Sequence, residues 1–434
     1  MKRRAASASL AVLLAVAAAA VLRAQAPAAA ETFDKVWTIV RDTAFDKSFN
    51  EADWDRVREQ LRPKAVAAKT PGELRAVLAD MLGRLGLSHF AVIPSTPDAP
   101  SEAADLSGQP GFDIRLIKGR LLVTSVDANR GAAIAGVHAG WILDAIGGRS
   151  VAALIEPIVQ NTPDRVAQLE VWRAAQRLLR GPSGSTVDVT FIGASGARVT
   201  KSIERNPERG VPVTVGSLPT MYVRVTSAVK ETPRGHSAGV IGFNVWMTAV
   251  DKPFQQAVDR FRSADGIVID LRGNPGGLAA MIMGIAGHFV ADRATLGVMR
   301  TKDSELRFAV NPRLVNGVGA RVEPYGGPLA ILVDGMTGSA SECFAGGMQS
   351  LGRARVFGQT SMGQALPALF DRLPNGDVLI HAWGDFVTGT GVRIEGRGVV
   401  PDQEVPVTRD DLLAGRDVPL EAALRWIDLA AAKQ

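Results

Sequence analysis

The spacing of apolar residues predicts helices in the first part of the chain. Five apolar residues recur at helical spacing: Phe33, Val36, Trp37, Val40 and Ala44. The same periodicity returns over residues 74–82, and Thr70 and Glu73 stand before it at the two positions of a capping box. We therefore predict an N-terminal helical domain over residues 30–95, which ends with a strand at Ser88–Ile93.

A stretch rich in Pro, Asp and Ser, Pro94–Gln109, marks a boundary, and beyond it the pattern changes to short apolar runs. The runs predict strands at Phe112–Ile117, Leu121–Val126, Ile142–Ile146 and Val187–Phe191, with helices near Gly131–Ala135 and Pro163–Leu179. A second irregular connection, Asn206–His236, contains one strand around Met221–Val225. We therefore predict a small β domain over residues 107–205.

From Gly239 onward, strands and helices alternate, which is typical of a layered α/β domain. The predicted strands are Val240–Val245, Gly266–Leu271, Leu329–Val333, Ala354–Phe357, Val378–Ala382 and Phe386–Val387. The predicted helices are Pro253–Arg262, Ala279–Phe289 and Ala340–Leu351. A third domain is therefore predicted over residues 206–434, and the fold class is α+β multidomain.

Composition and charge exclude several classes of protein. The chain has 434 residues, of which 46% are hydrophobic and 21% charged, and this excludes a disordered or collagen-like protein. Four of the 49 basic residues lie in the first 26 residues, so the rest of the chain is nearly neutral against its 44 acidic residues. Neither nucleic acid nor an anionic membrane is an expected partner. With Cys343 as its single cysteine, the chain has no intramolecular disulfide and no multi-cysteine metal site.

The first 26 residues have the features of a cleaved export signal. A basic start at residues 1–4 is followed by an apolar run from Leu10 to Leu22, and Ala24-Gln25-Ala26 has the form of a signal-peptidase site. A transmembrane anchor is the alternative, but this run is shorter than the roughly 20 apolar residues that span a bilayer. We therefore expect residues 1–26 to be removed and the mature protein to be periplasmic or secreted, without a stable membrane span.

The sharpest chemical signal is the segment from Thr337 to Glu342, Thr-Gly-Ser-Ala-Ser-Glu, which follows a predicted strand and opens a predicted helix. At such a turn a serine hydroxyl can be exposed while free N–H groups of the first helical turn point toward it. Acyl transfer needs this arrangement, because the oxyanion of the tetrahedral intermediate must be stabilised as it forms. The alternative is that Ser339 or Ser341 only caps the helix.

A second signal is the segment Asp270-Leu-Arg-Gly-Asn-Pro-Gly-Gly277, in which a buried strand runs into a glycine-rich turn. Glycines in such a turn let a main-chain N–H approach a ligand closely. No P-loop lysine follows and the spacing is not that of a dinucleotide fingerprint, so nucleotide binding is not expected.

Four motifs in a fixed order carry a resemblance to a known family: Asp270–Gly277, Gly338–Glu342, Gly358–Gly363 and Glu395–Asp402. In this order they resemble the S41 peptidase family, which comprises the carboxyl-terminal processing (tail-specific) peptidases, the tricorn core protease and the related interphotoreceptor retinoid-binding proteins. The segments Gly111–Ile114, Asn129–Gly136, Gly140–Gly148 and Arg180–Val187 resemble the PDZ domain of this family. The resemblance implies a helical N-terminal domain, a PDZ-like β domain and a crotonase-like layered α/β catalytic domain. It implies no metal and no organic cofactor.

The resemblance also implies roles for single residues. Ser339 corresponds to the family nucleophile, and Gly276 with the N–H of Ala340 corresponds to the oxyanion hole. The processing-peptidase branch has a lysine as general base, but the corresponding position here is Gln364. A glutamine has no lone pair basic enough to accept the serine proton. A Ser–Lys dyad is therefore not expected.

The tricorn-like branch uses histidine as the base, and it is supported by a serine and an acid. Ser88 and His89 follow the N-terminal helices as in that branch, and Glu395 precedes Gly396 near the C-terminus. Because histidine is a competent base at neutral pH, we predict His89 as the general base, with Ser88 and Glu395 orienting it. His381, in the predicted catalytic domain, is the alternative base.

The PDZ-like segment predicts a binding site for protein or peptide substrates. Backbone N–H groups around Gly111, Phe112, Asp113 and Ile114 would bind the free C-terminal carboxylate of a peptide, which would add as a strand at the edge of the domain. The insertion at residues 151–179 argues against this if it covers that edge.

Together, these expectations describe an exported serine endopeptidase that works by Ser–His catalysis. The alternative function is a non-catalytic protein of the same fold that binds peptides or hydrophobic ligands. The glutamine at position 364 favours this alternative, whereas the presence of Ser339 and His89 opposes it.

Overall fold

The computed structural model describes residues 28–46, 49–95, 105–216 and 220–432, so the predicted export signal lies outside the described residues. The described chain forms two compact units. Unit 1 comprises the residues before 96 together with Met299–Glu305 and Leu366–Asp385, and unit 2 comprises the remainder. In the described part of the chain, no helix has the length and apolar character needed to cross a membrane.

The helices are α1 (28–43), α2 (Glu51–Ala67), α3 (Pro71–Gly83), α4 (Gly131–Ile134), α5 (Val151–Asn161), α6 (Asp164–Leu179), α7 (Asp251–Arg260), α8 (Met281–Ala286), α9 (Ala340–Ser350), α10 (Arg409–Leu413) and α11 (Val418–Ala431). The first strands are β1 (Ala91–Ile93), β2 (Gly108–Gln109), β3 (Phe112–Ile117), β4 (Arg120–Val126), β5 (Ile142–Ile146), β6 (Arg149–Ser150), β7 (Thr186–Ile192), β8 (Arg198–Glu204), β9 (Asn206–Pro207), β10 (Val211–Val213) and β11 (Met221–Val223). The later strands are β12 (Val225–Glu231), β13 (Ser237–Phe243), β14 (Gly266–Asp270), β15 (Thr295–Thr301), β16 (Glu305–Ala309), β17 (Leu329–Val333), β18 (Arg355–Gly358), β19 (Ala368–Arg372), β20 (Val378–Ala382), β21 (Gly384–Thr388) and β22 (Gln403–Glu404).

Unit 1 combines the N-terminal helices with a hairpin from the late part of the chain. Strand β20 pairs antiparallel with both β1 and β19. Leu373 and Leu379 from this hairpin join the core formed by α1, α2 and α3. Within that core, Trp37 and Trp54 each donate from the indole nitrogen to the other residue's carbonyl oxygen, at 3.1 Å. The helical core is therefore completed by residues nearly 300 positions away in the sequence.

In the first part of unit 2, a sheet has the strand order β3-β4-β5-β7-β8, with β6 paired to β5. Its strands bury one face, where Ile114, Val123, Val189 and Phe191 pack together with Val171 from α6. Strand β3 lies at the edge of this sheet, and it pairs with β4 alone among the described strands. The insertion at residues 151–179 forms α5 and α6.

The second part of unit 2 is built on a six-stranded sheet with the order β12-β13-β14-β17-β18-β22. Strand β12 is antiparallel to β13, and the other neighbouring pairs are parallel. Helix α11 covers part of one face through Ala423 and Ile427. Because β14 and β17 are parallel neighbours, with Asp270 opposite Leu332, the turns that follow them leave the same edge of the sheet. The remaining sheets are β10-β11, β2-β9 and β16-β15-β21.

The structure corrects some sequence predictions. Strands β3, β5, β17 and β20 have the predicted bounds. The strand predicted at Ser88–Ile93 begins only at Ala91, because His89 adopts a left-handed conformation with φ of 60°. In the described parts of the connection Asn206–His236 there are four strands rather than one, including β12, which is exposed along most of its length.

Candidate active site

Ser339 lies at the turn between β17 and α9, in a conformation that serine rarely adopts. Its φ of 51° and ψ of −121° differ from the extended conformation of an ordinary helix-capping residue. A non-glycine residue at positive φ is strained, and such strain persists only where the surrounding structure enforces it. Ser339 is half-buried, whereas Ser341 is fully buried and accepts a hydrogen bond from Trp246 Nε1 at 2.8 Å. The two serines of the motif therefore differ, and Ser339 has the accessible position.

Gly276, in the turn after β14, lies directly against Ser339. A Cβ atom at Gly276 would be 2.5 Å from Ser339 Cβ and 3.0 Å from the amide nitrogen of Ala340, so glycine is required here. Within the described residues, the amide of Ala340 donates to no protein oxygen, as is usual at the start of a helix. The amide of Gly276 donates to Asn274 Oδ1 at 3.0 Å. The Ala340 amide is thus available to an oxyanion, and the Gly276 amide is occupied by a side chain.

Glu342 is a buried carboxylate beneath the nucleophile turn. Its Oε2 accepts from the amides of Ser339 and Gln364, both at 3.0 Å. Its Oε1 accepts from the amide of Gly363 at 2.6 Å and the hydroxyl of Ser361 at 2.5 Å. Burial raises the pKa of Glu342 to about 7, although these hydrogen bonds oppose the increase. No role was predicted for Glu342, and its only sequence signal was the capping-box position three residues after Ser339.

The segment 361–365 runs beside the nucleophile turn. The amide of Met362 donates to the carbonyl oxygen of Thr337 at 2.9 Å, and the amide of Ser339 donates to the carbonyl oxygen of Gln364 at 2.9 Å. Gln364, which stands where the resemblance expected a lysine, therefore borders the predicted nucleophile.

Glu395 contacts the same segment. Its Oε2 accepts from the amide of Ala365 at 2.9 Å, and the residue is only 8% exposed. Glu395 is thus a buried acid close in the structure to the Ser339 turn.

Asp334, directly after β17, joins the two turns of the site. Its Oδ1 accepts from the amides of Gly273 at 2.9 Å and Met336 at 3.0 Å, and its Oδ2 accepts from Arg115 Nε at 2.9 Å. Burial disfavours the charge of Asp334, but the Arg115 guanidinium and these amides outweigh it and hold the pKa of that carboxyl below its ordinary value. Neither Asp334 nor Arg115 was singled out from the sequence.

The predicted base, His89, belongs to unit 1. It lies in the bend between α3 and β1, and the Ser88 hydroxyl is 2.8 Å from His89 Nδ1. The predicted contact between Ser88 and His89 is therefore present. The catalytic pairing of His89 with Ser339, which belongs to unit 2, stays a prediction.

His381, the alternative base, is engaged inside unit 1. Its Nδ1 is 3.3 Å from the Thr43 hydroxyl and its Nε2 is 2.8 Å from Asp371 Oδ2, and the residue is 1% exposed. With both ring nitrogens hydrogen-bonded and the ring buried, His381 is poorly suited to take a proton from a substrate-facing serine.

The predicted peptide-binding segment lies at the start of β3. The amide of Gly111 donates to Gln109 Oε1 at 3.3 Å, and the amide of Ile114 donates to Asp113 Oδ1 at 2.9 Å. Trp172 of α6 also donates to Asp113 Oδ1, at 3.4 Å. The binding of a peptide carboxylate by residues 111–114 stays a prediction, and it would require these side chains to release the two amides. In the described ranges, no three His, Cys, Asp or Glu side chains are grouped as metal ligands.

Two family models match the chain. Residues 221–405 match peptidase family S41, and residues 27–83 match the tricorn protease C1 domain. The carboxyl-terminal-processing protease of Picosynechococcus sp. is 26% identical over 384 residues, which are 86% of this chain and 82% of that protein. Carboxyl-terminal-processing peptidase 3, chloroplastic, of Arabidopsis thaliana is 23% identical over 89% of this chain and 71% of its own length. Tricorn protease homolog 1 of Streptomyces coelicolor is 25% identical over 91% of this chain, which spans only 34% of that protein.

Solved structures of similar fold cover nearly the whole chain. The photosystem II D1 C-terminal processing protease aligns with a TM-score of 0.57 and 22% identity, over 92% of this chain and 96% of that chain. Mature CPAF complexed with lactacystin aligns with a TM-score of 0.60 and 13% identity, over 94% of this chain and 98% of that chain. At these identities the likeness establishes the fold, and it confirms the predicted mixed α and β architecture with its N-terminal helices.

Proposed function

Since this chain belongs to the S41 family of serine peptidases, we propose that it is an endopeptidase in which Ser339 is the nucleophile and His89 the general base. The observation that carries the proposal is the positive-φ conformation of Ser339 at the N-terminus of α9, directly beside the amide of Ala340, which donates to no oxygen of the described residues. A serine that only caps a helix needs neither the strain nor the closely fitted Gly276.

In the proposed reaction, Ser339 Oγ attacks the carbonyl carbon of the scissile peptide bond and transfers its proton to His89. The carbonyl oxygen becomes an oxyanion, which the Ala340 amide and the positive end of the α9 dipole stabilise. The C–N bond then breaks as His89 returns the proton to the leaving amine. Water then attacks the carbonyl carbon of the resulting ester and gives a proton to His89, and the ester C–O bond breaks as His89 returns that proton to Ser339 Oγ.

The supporting groups follow from the same proposal. If His89 takes the proton on Nε2, its Nδ1 carries a hydrogen, which the Ser88 oxygen at 2.8 Å accepts, and this contact orients the ring. Glu395 is proposed as the acid that stabilises the protonated imidazole. Its burial and its contact with the segment beside Ser339 support that assignment.

The substrate class and the location are also proposals. Relatives named as processing proteases support protein or peptide substrates, and β3 at a sheet edge supports recognition of free C-termini by residues 111–114. The features of residues 1–26 support export to the periplasm or the medium.

A fluorophosphonate probe tests the nucleophile, because it reacts with activated serines and spares serines that only cap helices. We expect the probe to label the wild-type protein and the control Ser350→Ala, which alters a serine at the far end of α9. Ser339→Ala should not be labelled. Labelling that persists in Ser339→Ala would assign the nucleophile to another residue.

A non-catalytic binding protein is the second candidate. Two observations favour it, namely Gln364 in place of a lysine and the Gly276 amide that is already occupied by Asn274. This function would be established if the wild-type protein binds peptides that end in a free carboxylate, but is not labelled by the probe and does not cleave unfolded protein substrates.

A further inference from the structure

Glu342 takes part in no step of the proposed reaction, yet it is the most extensively hydrogen-bonded group beneath the nucleophile. Its side chain is 0% exposed and connects the turn at Ser339 with the segment that holds Ser361, Gly363 and Gln364. All four donors are uncharged. A helix cap would need only the bond to Ser339, so three of the four bonds serve another purpose.

We propose that Glu342 is a positioning residue for the peptidase reaction, whose carboxylate holds Ser339 in its positive-φ conformation and fixes residues 361–364 beside it. The inference rests on the proposed function of Ser339. The amide of Ser339 is held from two sides, by Glu342 Oε2 at 3.0 Å and by the Gln364 carbonyl oxygen at 2.9 Å. Because Glu342 also accepts a hydrogen bond from the Gln364 amide, one side chain fixes both the turn that carries Ser339 and the neighbouring segment at Gln364.

The role requires a carboxylate with two accepting oxygens. Each oxygen accepts two hydrogen bonds, and a glutamine would place an NH₂ group against two donors at a position with no solvent exposure. Uptake of a proton by Glu342 has a similar effect, because one accepting position becomes a donor. Burial raises the pKa of Glu342 to about 7, so this uptake falls near neutral pH.

Among the described residues, two other titratable side chains contact Ala365, which directly follows the segment that Glu342 holds. Cys343 of α9 is buried with its sulfur 4.0 Å from the carbonyl oxygen of Ala365, and Glu395 accepts from the amide of Ala365. Neither group offers a positive charge that would offset the burial of the Glu342 carboxylate.

The test compares Glu342→Gln with Glu342→Asp and with Asp428→Asn. Asp428, 3% exposed in α11, bonds His236 and lies outside the site, so it controls for the loss of any buried carboxylate. For hydrolysis of a fluorogenic peptide at pH 8, we expect Glu342→Gln to lower kcat about 100-fold with little change in KM, as for a nucleophile misplaced by about 1 Å. Glu342→Asp should restore part of kcat, and Asp428→Asn should lower stability and leave kcat unchanged.

The pH profile supplies a readout that a merely structural role would not change. In the wild type, the decrease of kcat below pH 7 should involve the uptake of two protons, one of them by Glu342. In Glu342→Gln, the decrease of the remaining activity should involve the uptake of one proton. If Glu342→Gln does not fold, Glu342→Asp carries the test through a lower kcat at unchanged KM. A Glu342→Gln enzyme with wild-type kcat and pH profile would overturn this inference alone, and an inactive, unlabelled wild type would overturn the proposed function together with it.

Discussion

Replacement of Gly276 by alanine places one methyl group against the proposed nucleophile. The new Cβ would lie 2.5 Å from Ser339 Cβ. Since carbon atoms in contact prefer about 3.5–4.0 Å, one of the two turns must move by about 1 Å. A displacement of this size at a reacting atom lowers a rate by about 100-fold. The φ of 107° at Gly276 adds a backbone cost of about 1–3 kcal/mol in stability.

Gly319→Ala is the matched control for the backbone cost. Gly319 has a φ of 87°, and a Cβ there would meet nothing within 4 Å. We expect both variants to lose stability in urea denaturation, and only Gly276→Ala to lose activity against a fluorogenic peptide and reactivity toward the fluorophosphonate probe. Wild-type kcat in a folded Gly276→Ala enzyme would refute the placement of Gly276 against the reacting serine.

Three other predictions concern the base, the turns and the edge strand. Ser339→Ala and His89→Ala should each remove nearly all peptidase activity, and their effects should not add in the double variant, because the two residues act together in the proposed reaction. Gln364→Ala should keep most of the activity. Asp334→Asn should reduce the free energy of unfolding at pH 7. Because the pKa of Asp334 is lowered in the folded state, its ionisation stabilises the fold at pH values above its ordinary pKa, and this contribution is lost as the pH falls through the folded pKa. Urea denaturation of both proteins at pH 7 and pH 3 measures the effect. A peptide with a hydrophobic C-terminus should bind the chain more tightly than its C-terminal amide in isothermal titration, and equal affinities would contradict binding at residues 111–114.

The sequence predicted strand bounds best where a strand is buried on both faces or is followed by a tight turn. Every residue of β17 is buried, and its apolar run predicted its bounds. Strand β12, in contrast, lies at a sheet edge with six of its seven residues exposed, so no apolar alternation marked it. The pairing of β1 with β20 was also not predicted, because it joins segments nearly 300 residues apart and local periodicity does not report such contacts.

The same difference applies to the site. The motifs around Gly276 and Ser339 were predicted because each is contiguous and has a known turn chemistry. Asp334 and Glu342 were not, since their importance arises from donors on separate segments that only the folded sheet brings together. The left-handed conformation of His89 was missed because a histidine beside an apolar run is typical of a strand.

The energetics of the Ser339 turn argue for a chemical role over a capping role. Ser339 is strained, and Glu342 has a folded pKa of about 7 against an ordinary value of 4.5. The native state therefore retains a proton that the unfolded chain releases between these values, so ionisation of Glu342 lowers stability at pH 7 and above by up to roughly 3 kcal/mol. An uncharged cap with extended backbone would end the helix without either cost. The Ser339 turn retains both the strained backbone and the buried carboxylate, and it also requires a glycine at position 276. These features indicate selection for the geometry of Ser339 rather than for the stability of α9.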